Sequence, residues 1–110
     1  MRKLANYIDG RLVPAAADGW LDDYEPATGR CYARLPGSHK ADIDAAVAAA
    51  QRAFPAWSAI PAVQRAEWLH RLATLLERDL EKLARAESVD SGKPLSLARS
   101  VDIPRAIANL

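Results

Sequence analysis

The chain has 110 residues, of which 50% are hydrophobic and 26% charged, a composition typical of a folded domain and not of a disordered segment. Fifteen basic residues against 14 acidic ones give a formal net charge of +1 and no basic stripe, which argues against nucleic-acid binding. A single cysteine excludes an intrachain disulfide, and no apolar run approaches the roughly 20 residues that cross a bilayer. We therefore expect a cytoplasmic protein without membrane contact.

The first 37 residues are predicted to be rich in β-strands. Asp9-Gly10 predicts a tight hairpin turn, because such a turn favours positive φ, which glycine adopts without steric cost. Residues 15–19 are predicted to form a loop and residues 26–29 a turn. Strands this short are marginal alone, so we expect them to pair with strands from another part of a larger protein. The predicted strands cover residues 6–8, 11–13, 20–25 and 31–35.

Residues 38–110 are predicted to be helical. Ser38 is the expected N-cap of the first helix, and Pro55 is expected to end it. Trp57 follows in the connection and is interpreted as a plug between this helix and the next. The predicted apolar face of the first helix consists of Ile43, Val47, Ala50 and Phe54.

The longest pattern is an amphipathic helical segment over residues 61–94, whose stop signal is the sequence SGKP. So long a straight helix is unusual in a globular protein, so we expect a break near Arg78 and Asp79. Another turn or two of helix is expected over residues 95–99, and a new helix from Asp102. The apolar residues of the long segment recur at intervals of three and four and are expected to face a core; they are Leu69, Leu72, Ala73, Leu76, Leu80 and Leu83.

These residues form no catalytic constellation. Cys31 lies in a predicted strand, away from the cationic neighbour or helix N-terminus that would activate a thiol, so it is interpreted as buried and unreactive. His39 and His70 lack the spacing of metal ligands. The glycines are too scattered for a phosphate-binding loop, and Lys93 is interpreted as part of a helix terminus. Two acidic pairs, Asp22 with Asp23 and Asp42 with Asp44, would suit general acid–base catalysis, but solvation and helix capping are sufficient explanations of their presence.

Several sequence blocks, taken in order, resemble the N-terminal segment of the NAD(P)-dependent aldehyde dehydrogenases: NYIDGRLV, YEPATGR, DIDAAVAAAQRAFPAWS, the long helix ending in SGKP, and ARSVDIPRAIANL. The last block and DYEP resemble in particular the branch that acts on 2-aminomuconate and 2-hydroxymuconate semialdehydes. The implied fold is α/β, with short strands and long helices flanking a Rossmann-like cofactor domain. Residues 1–110 would be a partial domain, β-rich over 1–37 and helical over 38–110. The helical pattern stops without a cap, so truncation at residue 110 is expected.

The resemblance implies that the full-length protein oxidises an aldehyde, such as a muconate semialdehyde, to a carboxylic acid with NAD or NADP. It also implies a homo-oligomer, either a dimer or a tetramer. In the family, a cysteine thiolate attacks the aldehyde, hydride passes to the nicotinamide, and a glutamate-activated water hydrolyses the thioester. No residue of this sequence matches those catalytic or cofactor-binding groups, so the 110 residues alone are expected to be inactive. The alternative is a non-catalytic helical scaffold that binds a partner chain through its apolar faces.

Members of this family often hold a monovalent cation, K⁺ or Na⁺, and the resemblance assigns its ligands here to Asp23, Tyr24 and Asp102. Carbonyl and carboxylate oxygens suit such a hard cation. The sequence departs from the family pattern at Asp23, where a neutral hydroxyl residue is frequent, and at Glu25, where Asn or Asp is usual. The alternative interpretation is that Asp102 caps the helix that contains Pro104.

Overall fold

A computed structural model describes residues 1–16 and 18–110. The chain folds into two compact units. The first unit comprises Met1–Tyr24 and Arg30–Ala59, and the second comprises Glu25–Gly29 and Ile60–Leu110.

The N-terminal hairpin forms as the sequence predicts. Strand β2 (Asn6–Ile8) pairs antiparallel with β3 (Arg11–Val13). Asp9 and Gly10 have φ angles of 54° and 74°, the pair of positive values that a two-residue turn of this type requires.

A three-stranded sheet has the order β1-β5-β4, from β1 (Arg2–Lys3), β4 (Trp20–Glu25) and β5 (Arg30–Pro36). Strand β4 confirms its prediction, and β5 extends one residue beyond the predicted strand at each end. Strand β1, which runs parallel to β5, was missed because two residues are too few to show a pattern. The described residues of the predicted 15–19 loop form no regular structure, and residue 17 lies outside the described residues.

Helix α1 (Lys40–Ala59) continues through Pro55, so the prediction that Pro55 ends it was wrong. An interior proline removes one backbone hydrogen bond, and the alanine-rich helix before it has enough intrinsic preference to continue. Ser58 Oγ also donates to the Pro55 carbonyl at 3.1 Å. Trp57 therefore lies within the helix, 41% exposed, and is not the predicted plug in a connection.

The start of α1 is held by Asp42, and the predicted Ser38 cap was wrong. Asp42 Oδ2 accepts from the His39 backbone N–H at 2.9 Å, and Oδ1 accepts from the Ala16 N–H at 2.8 Å. The first of these contacts is the carboxylate half of a capping box, so the capping role predicted for Asp42 is confirmed. The Ser38 hydroxyl instead accepts from Asn6 Nδ2 at 2.8 Å.

This capping contact predicts a pH dependence. Donation from the His39 N–H, and then from the Ala16 N–H, holds the pKa of the Asp42 carboxyl below its ordinary value of 3.8. Because the pKa is lower in the folded state, the contribution of Asp42 to stability is complete above about pH 4 and is lost as the pH falls through the folded-state pKa. We expect Asp42→Asn to lower the melting temperature at neutral pH and to flatten its decrease below about pH 4.

The matched control is Asp44→Asn, because Asp44 lies on the same helix in an exposed ion pair with Lys40 at 2.6 Å. Exposed pairs of this kind contribute little to stability, so this variant should melt like the unaltered protein across the pH range. If Asp42→Asn reproduces the acid dependence of the unaltered protein, its carboxylate does not stabilise the start of α1.

The second unit is helical and follows the predicted breaks. Asp79 separates the first two helices (φ −99°, ψ 15°), and Gly92 ends the second in the left-handed region at φ 73°; both features were predicted. The helical path then continues from residue 95 to residue 108 without a gap. The helical elements of the second unit are α2 (Ala62–Arg78), α3 (Leu80–Ser91), α4 (Leu95–Leu97), a π-helical turn (Ala98–Asp102) and α5 (Ile103–Ala108).

The described residues bury the predicted apolar faces only in part. Four of the six residues of the predicted core stripe are half-buried, but Leu72 is 44% exposed and Phe54 of α1 is 64% exposed. The side chains without exposed surface are small: Ala33 in β5, Ala84 in α3 and Ala98 in the π-helical turn. The correction has a physical cause, since each large apolar face needs a second layer to cover it, and such exposed faces are typical of interaction surfaces.

Candidate functional site

Two of the predicted cation ligands lie near the end of β4, in the first unit. Asp23 is half-buried, and its Oδ2 accepts from the Tyr32 hydroxyl at 2.8 Å. The next residue, Tyr24, points to the opposite face of the strand and is exposed. The neighbouring Asp22 forms an ion pair with Arg34 Nε at 2.8 Å. The Tyr32 hydroxyl therefore orients the Asp23 carboxylate without neutralising it.

The third predicted ligand, Asp102, is the last residue of the π-helical turn, in the second unit. It has helical backbone angles (φ −67°, ψ −51°), and its side chain makes no capping hydrogen bond to α5. The alternative interpretation of Asp102 as an N-cap was therefore wrong. Helix α5 does begin where the sequence predicts, at Ile103 with Pro104 in its first turn.

The carboxylate of Asp102 is paired with a lysine. Oδ2 of Asp102 has no exposed surface, and Lys93 Nζ lies 2.8 Å from it. Lys93 Nζ is also 3.6 Å from Glu87 Oε1. We call Glu87, Lys93 and Asp102 the Lys93 cluster. The Asp102 carboxylate at this short distance, and then the negative charge of Glu87, raise the pKa of Lys93 above the ordinary value of 10.5. The ammonium group is thus charged at neutral pH.

The backbone around Lys93 is held on both sides. The Gly92 N–H donates to the Ser88 carbonyl at 3.0 Å, and Ser88 Oγ donates to the Lys93 carbonyl at 2.7 Å. The Lys93 N–H in turn donates to Ser91 Oγ at 3.3 Å. These bonds fix the point from which the Lys93 side chain leaves the end of α3. The sequence does not indicate that Lys93 pairs with Asp102, because a helix terminus is a sufficient explanation of SGKP.

The other residues considered from the sequence are not assembled into a reactive site. Cys31 is half-buried in β5, where its Sγ donates to the Ala33 carbonyl at 3.3 Å. His39 and His70 are both exposed. Within residues 1–16 and 18–110, no group of three or more His, Cys, Asp or Glu side chains is arranged to hold a metal ion. The helices of this part of the chain include none that is long and apolar enough to span a bilayer.

Comparison with known proteins decides the family. Residues 13–110 match the aldehyde dehydrogenase family. The chain belongs to this family. This aldehyde dehydrogenase chain is 50% identical over 106 residues to 2-aminomuconic semialdehyde dehydrogenase of Bos taurus, a match that covers 96% of the chain and 21% of the relative. It is 38% identical over 110 residues to 2-hydroxymuconic semialdehyde dehydrogenase of Pseudomonas sp. strain CF600, covering 99% and 23% of the two proteins.

A solved structure confirms the fold. Aldehyde dehydrogenase of Bacillus cereus, in its complex with NAD⁺, matches 98% of this chain with a TM-score of 0.94 and 34% sequence identity, over 22% of its own length. The prediction of an α/β fold corresponding to part of an aldehyde dehydrogenase is thereby confirmed. The chain spans about a fifth of the length of the relatives that it matches. The assignment of Asp23, Tyr24 and Asp102 to a monovalent cation stays a prediction.

Proposed function

We propose that this chain is the N-terminal segment of an NAD(P)-dependent enzyme that oxidises a muconate-type semialdehyde to a carboxylic acid. The observation that supports the proposal most directly is the identity over nearly the whole chain with 2-aminomuconic semialdehyde dehydrogenase. The similarity to 2-hydroxymuconic semialdehyde dehydrogenase supports the same substrate class. We further propose a cytoplasmic homo-oligomer, a dimer or a tetramer.

In this proposal the chain contributes to the fold and to subunit contacts and carries no catalytic residue. NAD(P), when bound, supplies the hydride acceptor. The chain itself would form a partial domain over residues 1–110, β-rich over 1–37 and helical over 38–110. Exposed apolar side chains on the helices, such as Phe54 and Val63, suit residues that cover another layer of protein. The helices would thus flank the cofactor domain, and the short strands would contribute to the contact between subunits.

The proposal is tested on the protein as its gene encodes it. We expect NAD(P)H formation with 2-hydroxymuconate semialdehyde, with kcat/KM at least about tenfold higher than for acetaldehyde, which corresponds to about 1.4 kcal/mol of transition-state binding. The matched control substrate is an aldehyde of the same carbon length that lacks the carboxylate. Equal kcat/KM values for the semialdehyde and this control aldehyde would reject the substrate class but would still show an aldehyde dehydrogenase. Absence of turnover with every aldehyde would instead favour the scaffold hypothesis.

A further inference from the structure

The Asp102 carboxylate is already matched with a positive charge that belongs to the chain itself. We propose that the Lys93 ammonium takes the place beside Asp102 that the family resemblance gives to a monovalent metal ion. In this protein the Asp102 carboxylate is then not a metal ligand. Any K⁺ or Na⁺ that binds would use other oxygen atoms, such as backbone carbonyls.

Lys93 Nζ lies 2.8 Å from Asp102 Oδ2, which is the distance of a close ion pair. The oxygen accepts no hydrogen bond from the residues that the structure describes, so the attraction is one of charge. An ammonium group is only a donor, so it cannot share a metal ion with the carboxylate as a second ligand. A metal ion on the same oxygen would lie next to Nζ, and the two positive charges would repel each other strongly at this range. Lys93 would have to leave before the ion could bind.

The ion pair of Lys93 with Asp102 is largely shielded from solvent. Oδ2 of Asp102 has no exposed surface, and the side chains of Lys93 and Asp102 are 32% and 29% exposed. Glu87 lies farther from the ammonium, at 3.6 Å, and is more exposed, so solvent and salt screen its charge better. The Lys93 cluster therefore holds one cation against two anions, and its closest ion pair is that of Lys93 with Asp102. A metal ion at Asp102 would have to displace an ammonium group that already lies beside this carboxylate.

The ion pair joins two helical elements of the second unit. Lys93 follows the glycine that ends α3, and Asp102 closes the π-helical turn, in which the Ile103 N–H donates to the Ala98 carbonyl. The ion pair therefore ties the end of α3 to this turn, which is an uncommon helix type. A lysine makes this link permanent, because it does not depend on the concentration of K⁺ or Na⁺.

The test compares the melting temperature of the gene-encoded protein in KCl, NaCl and tetramethylammonium chloride at equal ionic strength. The variant Lys93→Met exposes the Asp102 carboxylate to solvent ions. We expect it to melt lower than the unaltered protein and to regain a few degrees in KCl or NaCl but not in tetramethylammonium chloride. The matched control is Lys40→Met, which removes a lysine from an exposed pair with Asp44 and should show the cation response of the unaltered protein.

A second variant assigns the response to the carboxylate. Adding Asp102→Asn to Lys93→Met should abolish the gain in KCl and NaCl. If the unaltered protein shows the same gain as Lys93→Met, and loses it with Asp102→Asn alone, the carboxylate is a metal ligand and the proposal is overturned.

A measurement on the unaltered protein covers the case in which Lys93→Met does not fold. Crystals grown with Rb⁺ in place of K⁺ reveal bound monovalent ions by anomalous scattering. A peak at coordination distance from Asp102 Oδ2 overturns the proposal. Lys93 Nζ at that oxygen without a peak supports it, whether or not Rb⁺ binds to carbonyl oxygens elsewhere.

Discussion

Gly92→Ala is expected to lower the free energy of unfolding by about 2 to 4 kcal/mol. Two effects add. Gly92 has φ 73°, and a left-handed conformation costs a residue with a Cβ about 1 to 2 kcal/mol. The added Cβ would also lie 3.0 Å from Cβ and 3.3 Å from Cγ of Pro26, which is too close for carbon atoms, so the turn or the proline must move. Chemical denaturation of the gene-encoded protein measures the loss.

Gly29→Ala separates the two effects. Gly29 also has positive φ, 67°, but a Cβ there would meet no atom within 4 Å. This variant should lose only the conformational term of about 1 to 2 kcal/mol. The excess loss in Gly92→Ala then measures the close approach to Pro26. Equal losses in the two variants would show that Pro26 yields without cost and that only the backbone angle matters.

Backbone chemistry within a few residues explains which elements could be predicted. The Asp9-Gly10 turn, the break at Asp79 and the end of α3 at Gly92 each depend on the angles that one or two residues prefer. Such preferences act locally and are therefore visible in the sequence. The periodicity of residues 62–91 identified their helices for the same reason.

The wrong prediction of the Ser38 cap has a different cause, which is competition from residues distant in sequence. Ser38 is a good N-cap by type, but its hydroxyl bonds to Asn6, and Asp42 caps α1 instead. The carboxylate of Asp42 also reaches the backbone of Ala16, 26 residues earlier. Propensity alone does not reveal these partners, because only the fold brings them together.

At the candidate site, too, the sequence indicated one residue but not the partner that the fold brings to it. The family resemblance singled out Asp102, but no periodicity or spacing indicated that Lys93 would lie 2.8 Å from its carboxylate. That pairing depends on how the end of α3 meets the π-helical turn. A turn with i to i+5 hydrogen bonding rotates the following side chains away from the positions that α-helical spacing predicts. The sequence alone therefore does not indicate the charge partner of Asp102.

The packing of α3 against the π-helical turn leads to a second large effect. Ala98→Asp is expected to lower the free energy of unfolding by about 3 to 5 kcal/mol, because it places a carboxylate without a cationic partner where there is no exposed surface. The sequence did not suggest this position, since large apolar residues dominate the pattern while the buried contacts are made by alanine. Denaturation of the gene-encoded protein at neutral pH measures the loss.

Two further variants identify which property of Ala98 matters. Ala106→Asp makes the same change on an exposed position of α5 and should alter stability by no more than about 0.5 kcal/mol. Ala98→Leu adds volume without charge and should cost about 1 to 3 kcal/mol. If Ala98→Asp is as mild as Ala106→Asp, water reaches the site and α3 does not pack tightly on the turn. If Ala98→Leu costs as much as Ala98→Asp, space and not charge limits this position, because either side chain then has to force the two elements apart.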